Sequence, residues 1–330
     1  MIRFGVLGAG RIGKVHSATI AANPKAKLAY VADAFPAAAE QLALQTGARV
    51  ASVEEIIAAS DVDAVLIATP TPSHADLIEA ASKAGKHILC EKPVSLSVDR
   101  INQCLDVVEQ NKSTLMIGFN RRFDTNFSMV EQRLRNGDVG EIEIVTIISR
   151  DPNPPPASYV KSSGGLFRDM MIHDFDMARF LMGEEFVVVN ALGSALVDKA
   201  IGEEGDVDTA AVQMQTASGR IAVITNSRRA TYGYDQRIEV HGSTGMLSAR
   251  NIQNSSVELW NANGIAGDPV QNFFIERYAQ AYANEINTFI DAVDAGNTSP
   301  RPSGFDGLQA QKLADAATES WQTGKPVQIV

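Results

Sequence analysis

Three short stretches carry residue types that could do chemistry. Gly8-Ala9-Gly10-Arg11-Ile12-Gly13 spaces its glycines as GxGxxG. At a strand-to-helix turn such glycines allow, in order, a tight bend, close approach of backbone to a pyrophosphate, and close helix-to-strand packing. The N–H groups that open the helix then face the anion, so Arg11 and Ile12 belong to the same binding turn. Asp33 stands twenty residues beyond Gly13, at the end of the next strand-like run, where a carboxylate can accept ribose hydroxyls. Neither Ala34 nor Phe35 supplies a cation for a 2′-phosphate, so the pattern predicts NAD rather than NADP. The bland alternative is a glycine-rich turn that binds no nucleotide.

The second stretch is Glu91-Lys92-Pro93, directly after a strand-like run, with Thr69-Pro70 in a corresponding position earlier in the chain. Ligands of open α/β sheets bind at the carboxyl ends of the strands, so Glu91, Lys92, Thr69 and Pro70 all fall on the expected edge. An ordinary lysine is protonated at neutrality; it can donate a hydrogen bond as it stands, and needs burial or a neighbouring positive charge to act as a base. The third stretch is Arg168-Asp169-Met170-Met171-Ile172-His173-Asp174-Phe175-Asp176. Asp169 and His173 are four positions apart, which predicts one helix face on which the carboxylate orients the imidazole. A base with a pKa near 7 suits removal of a hydroxyl proton as hydride leaves. A structural histidine, or a metal held by His173, Asp174 and Asp176, would also fit, but no further His or Cys cluster supports a metal, and none is expected.

These residues need elements to hold them. From residue 1 to about 118, short β-branched runs alternate with Ala-rich helical stretches, the pattern of a doubly wound parallel sheet. Strands are predicted at Ile2 to Leu7, Lys27 to Asp33, Ala64 to Ala68, His87 to Cys90 and Thr114 to Gly118. Helices are predicted at Arg11 to Ala22, Pro36 to Thr46, Glu54 to Ala59, Ser73 to Ala84 and Ser97 to Gln110, with Ser73 as a cap and Gly47 and Gly85 as stops. After Phe119 the rhythm changes to a proline-rich loop at Asp151 to Pro156, a helix from about Met170 to Leu181, close successive strands, and two final helices near Phe274 to Ala295 and Gly304 to Thr323. The expectation is an α/β protein with a Rossmann domain over 1–119. An α+β domain with a mainly antiparallel sheet over 120–330 follows, with room for the C-terminal helix to pack back on the first.

The chain has 330 residues, a net charge of −10, 45% hydrophobic and 21% charged residues. These are ordinary globular values with enough chain for two domains. The acidic balance argues against nucleic acid or an anionic membrane as partner, and no apolar run approaches the roughly 20 residues of a membrane span. Two cysteines, Cys90 and Cys104, and a start without an apolar leader point to a reducing cytoplasm. Small molecules and protein partners remain.

In order and domain position, the glycine turn, Glu91-Lys92-Pro93 and Asp169 to His173 resemble the glucose-fructose oxidoreductase and inositol dehydrogenase family (Gfo/Idh/MocA), over essentially the whole chain. Gly118 to Asp124, Gly164 to Asp169 and Tyr232 to Asp235 resemble its bacterial inositol 2-dehydrogenase branch. The resemblance implies a large open sheet in the second domain, a homotetramer, NAD as cofactor and a polyol or sugar substrate, with myo-inositol oxidised at carbon 2. It also implies that Lys92 hydrogen-bonds the reacting hydroxyl while Asp169 and His173 handle the proton; the residues alone leave the base role open between Lys92 and His173. For a cyclic polyol, ring hydroxyls need donors and acceptors such as Arg122, Asp151, Tyr232 and Asp235, and the resemblance favours Asn153, Asp176 and Tyr234. The rival readings are a scyllo-inositol or aldose 1-dehydrogenase, and a non-catalytic NAD-binding sensor.

Overall fold

The computed structural model describes residues 1–329. In chain order the first elements are β1 (Ile2–Leu7), α1 (Arg11–Ala22), β2 (Ala26–Ala32), α2 (Pro36–Thr46), β3 (Arg49–Val50), α3 (Val53–Ala58), β4 (Ala64–Ile67), α4 (His74–Lys83), β5 (His87–Glu91), α5 (Val98–Asn111) and β6 (Leu115–Gly118). Then come α6 (Thr125–Arg135), β7 (Ile142–Arg150), α7 (Val160–Ser163), α8 (Leu166–Asp169), α9 (Ile172–Met182), β8 (Phe186–Ser194), α10 (Lys199–Glu203), β9 (Thr209–Thr216), β10 (Ile221–Ser227), β11 (Asp235–Gly242) and β12 (Gly245–Ala249). The chain closes with β13 (Glu258–Asn261), β14 (Gly264–Gly267), α11 (Phe274–Arg277), α12 (Ala279–Asp294), α13 (Gly304–Thr323) and β15 (Val327–Gln328).

Two compact units result: 1–123 with 280–311, and 124–279 with 312–330. This differs from the expected contiguous division at 119/120. The reason is the apolar stripe of α12, whose Ile286, Phe289 and Ile290 join Phe4, Val6, Leu66, Leu89 and Met116 in the core of the first unit. Phe4 and Phe289 stack tilted with ring centroids 6.0 Å apart. Stripes of this kind bury at about 25 cal/mol per Å² of apolar surface, which outweighs proximity in sequence.

The first unit carries a six-stranded sheet in the order β3-β2-β1-β4-β5-β6, parallel throughout. β4 is buried at every residue, as expected where helices cover both faces of a parallel sheet. The order reverses between β1 and β4, and the carboxyl ends there form the crevice in which such sheets bind ligands. Helix ends follow local chemistry. Gly47 adopts φ 74° after α2, and Ser52 and Glu55 form a reciprocal capping box at α3. Ser73 does not cap α4 as expected; its hydroxyl instead meets the Thr69 hydroxyl at 2.7 Å and donates to the Pro70 carbonyl at 2.9 Å.

The second unit is built on a seven-stranded sheet, β12-β11-β7-β10-β9-β8-β15. Only β7 and β10 run parallel; the other neighbours are antiparallel. A separate hairpin, β13-β14, stands apart from that sheet.

Candidate functional site

In the first unit the glycine turn has the geometry its spacing predicts. Gly8 sits at φ +107°, and a Cβ there would meet the Ala68 carbonyl oxygen at 2.4 Å; one at Gly13 would meet the Gly8 oxygen at 1.9 Å. Both positions are therefore closed to a side chain by backbone. Gly10 is the opposite case, an N-cap with no side-chain hydrogen bond and nothing within 4 Å of where a Cβ would stand. α1 thus begins without a side-chain cap and with open space beside Gly10, the room a diphosphate requires at a helix N-terminus. Arg11 is exposed and Ile12 half-buried beside it. Asp33 follows β2, and its carboxylate accepts from Ala9 N–H at 2.6 Å and Phe35 N–H at 2.8 Å. Each oxygen keeps a further lone pair for a ribose hydroxyl, and the carboxylate ties the glycine turn to its own strand.

Lys92 leaves the end of β5 through a cis Lys92-Pro93 bond. The Thr69-Pro70 turn after β4 is joined to it by His74, a residue the motifs did not single out. The buried ring of His74 lies 2.8 Å from the Pro93 carbonyl through Nδ1 and 2.7 Å from the Thr69 carbonyl through Nε2. Carbonyls only accept, so a ring nitrogen that carries a proton donates to the carbonyl it faces, and the ring spans the two turns. The Glu91 carboxylate points inward, 2.7 Å from His16 Nε2 on α1. Arg122 is buried and paired with Asp306 at 2.9 Å.

In the second unit, Asp169 ends α8 and His173 lies in the first turn of α9. The expected single helix is broken at Met170 and Met171. Asp206 causes the separate start of α8. Its two oxygens accept the Leu166 N–H at 3.1 and 3.0 Å, and burial pushes its carboxyl above the usual range. Asp169 accepts from Arg228 Nη2 at 3.2 Å and from the Tyr159 hydroxyl at 3.3 Å, and Arg228 also faces Asp151 at 3.7 Å. A buried guanidinium thus stabilises the Asp169 anion and holds it in place.

Asp176 is buried, 3.9 Å from Arg179 Nη1; Asn153 is exposed in the proline-rich loop. Tyr234 is nearly buried, edge-on to Tyr278 at 6.0 Å. Asp235 is engaged within the second unit. Burial pushes its carboxyl up, yet hydrogen bonds from Arg237, Tyr232 and Asn251 more than offset this and hold it below the usual range.

Comparison with known proteins gives the family of the chain. The NAD-binding Rossmann fold of the oxidoreductase family matches residues 2–119, and the Gfo/Idh/MocA C-terminal domain matches 127–248. The chain is 55% identical over 328 residues to the inositol 2-dehydrogenase of Rhizobium meliloti, covering 99% of each. The chain belongs to the Gfo/Idh/MocA oxidoreductase family. Among solved relatives, a myo-inositol dehydrogenase of Corynebacterium glutamicum is 42% identical, with a TM-score of 0.96 over 100% of this chain and 99% of that one. A scyllo-inositol dehydrogenase of Lactobacillus casei with bound NAD(H) and scyllo-inositol is 33% identical, with a TM-score of 0.93 over 99% of each. As a member of the family, the chain carries an NAD-binding domain whose turn, open helix N-terminus and Asp33 fit the cofactor.

Proposed function

We propose that the protein is an NAD-dependent inositol dehydrogenase that oxidises the carbon-2 hydroxyl of myo-inositol to a ketone. The observation that carries this is full-length identity of 55% to an inositol 2-dehydrogenase, together with the glycine turn, Lys92 and the Asp169 and His173 pair. The relative named for scyllo-inositol matches at 33%, which favours the myo isomer.

The cofactor, when bound, supplies the hydride acceptor. The N–H groups that open α1 hold its phosphates, and Asp33 takes its ribose hydroxyls. Lys92 donates a hydrogen bond to the reacting oxygen, and His173 receives the hydroxyl proton while Asp169, fixed by Arg228, orients the imidazole. The carbinol C–H electron pair leaves as hydride, the O–H proton passes to the base, and a C=O bond forms. Arg122, Asn153, Asp176 and Tyr234 complete the assignment as ring-hydroxyl contacts. The protein works in the cytoplasm as a homotetramer.

The test is purified protein with NAD⁺ and a panel of inositol isomers and aldoses, followed at the NADH absorbance band. Highest kcat/KM with myo-inositol is expected. A preference for scyllo-inositol or an aldose would give the site to the rival substrate, and no turnover with any cyclic polyol or pyranose would remove the function. Lys92→Ala and His173→Ala should each lower kcat by at least about tenfold with NAD affinity little changed.

A further inference from the structure

Inside the first unit, three ionisable side chains meet away from solvent. His16 from α1 and Glu285 from α12 are about 1% and 0% exposed, and Glu91 arrives from the end of β5. His16 Nε2 is 2.7 Å from Glu91 Oε1 and 4.0 Å from Glu285 Oε2. Neither carboxylate oxygen of Glu285 has a hydrogen-bond partner among the described residues, and the same holds for His16 Nδ1. The far side of Glu91 is closed by Gly118 on β6, where a Cβ would stand 2.9 Å from Glu91 Oε2. The Tyr282 ring meets His16 edge-on, with centroids 5.4 Å apart.

We propose that His16 and Glu285 are positioning residues for Lys92: His16 holds the Glu91 carboxylate inside the unit, Glu285 packs behind the imidazole, and together they fix the direction in which Glu91-Lys92-Pro93 presents the lysine. The proposal deepens the dehydrogenase reading and rests on it, since it needs Lys92 to touch the substrate.

Several observations favour a clamp. Glu91 closes β5 and immediately precedes the lysine, so anchoring its carboxylate anchors the strand end from which Lys92 departs. Its carboxylate is trapped between an imidazole on one side and a glycine that leaves no slack on the other. The Nε2–H tautomer of His16 gives Glu91 its proton donor and leaves the partnerless Nδ1 without a buried hydrogen. Glu285 belongs to the buried stripe Ala281, Tyr282, Glu285, Ile286 and Phe289, where a charged carboxylate would be very costly. Burial, then the neighbouring Glu91 charge, pushes its carboxyl well above the usual range. The three residues offer donor atoms within 4.8 Å of one another, a spacing a metal could use. The 2.7 Å contact argues otherwise, because two ligands of a tetrahedral zinc with bonds of about 2.0 Å stand roughly 3.3 Å apart.

The experiment compares full-length wild type with Lys92→Ala, His16→Leu, Glu285→Leu and Glu285→Gln in NAD⁺-dependent myo-inositol oxidation. Thermal unfolding and NAD titration serve as controls on the fold. His16→Leu and Glu285→Leu are expected to lower kcat at least about tenfold, with KM for NAD and inositol within about threefold, because misplacing a reacting group acts on the chemical step. Glu285→Gln, neutral and of the same shape, is expected to hold kcat within about threefold.

Where the leucine variants fail to fold, Glu91→Ala decides in their place, with the same loss of kcat expected and full kcat overturning the clamp. Loss of activity in Lys92→Ala with full kcat in folded leucine variants overturns the clamp and leaves the dehydrogenase standing. Full activity in Lys92→Ala overturns both. A stoichiometric divalent metal that leaves on Glu285→Gln makes the cluster a metal site and overturns the clamp.

Discussion

Two carboxylates of the first unit show how environment assigns opposite duties to the same group. Asp33 accepts two backbone N–H donors at the rim of the turn and remains available to a hydroxyl. Removing it takes away the group that opposes a 2′-phosphate, so Asp33→Ala should narrow or abolish the preference for NAD over NADP and weaken binding of both, as measured by titration. Unchanged discrimination would refute the assignment. Glu285 has no hydrogen-bond donor among the described residues, and burial, then the Glu91 charge, pushes its carboxyl well above the usual range. In the unfolded chain it ionises near pH 4.3. Above that value the folded protein binds more protons than the unfolded one, so stability falls as pH rises, by at most about 1.4 kcal/mol per unit until the raised folded value is passed. Glu285→Gln lacks this slope. Its melting temperature relative to wild type should rise as pH climbs above the unfolded value, and a difference that stays constant with pH would mean that the fold does not raise the Glu285 carboxyl.

At the scale of elements, the glycine turn separates fold from ligand. Gly13→Ala drives a methyl into the Gly8 carbonyl, whereas Gly10→Ala puts one into open space. The first should cost about 1–3 kcal/mol in denaturant unfolding and also impair NAD binding. The second should leave stability nearly unchanged and impair NAD binding alone. Equal NAD affinity in Gly10→Ala and wild type would mean that the phosphate does not approach there.

The bounds of β1, α1 and α2 were readable to the residue because periodicity, an N-terminal proline or a terminal glycine marks them. The start of α8 at Leu166 was not, since it depends on Asp206, forty residues away, and the break between α8 and α9 at Met170 and Met171 falls inside a stretch that keeps helical spacing. The helix expected over Phe274 to Ala295 breaks likewise at Tyr278, where φ is −112°. The two-residue strands β3 and β15 are too short for any alternation to show. In the site, Gly8 to Gly13, Asp33 and Lys92 announce themselves by motif. His16, His74 and Glu285 do not, because each draws its meaning from a partner that only the fold brings near: His16 and Glu91 are 75 positions apart.

For the whole molecule, the second unit carries a feature that one chain leaves uncovered. On and beside β13-β14, Val257, Leu259, Trp260 and Ile265 are each 60–69% exposed. A two-stranded hairpin is marginally stable alone, and large apolar groups clustered on one are costly in water unless another surface covers them. A homotetramer, as proposed above, would supply that surface from further copies of the same chain. Light scattering on the eluting peak should therefore give four times 35.4 kDa for wild type. Changing Leu259 and Trp260 together to Ser should shift the peak to a smaller assembly and lower its melting temperature, because a subunit that loses its partners also loses their contribution to folding. No helix among the described residues is long and apolar enough to cross a membrane, so the competing occupant to test is a lipid surface. Retention of the tetramer by the double variant, or of wild-type protein by phosphatidylcholine vesicles, would take the hairpin out of the subunit contact.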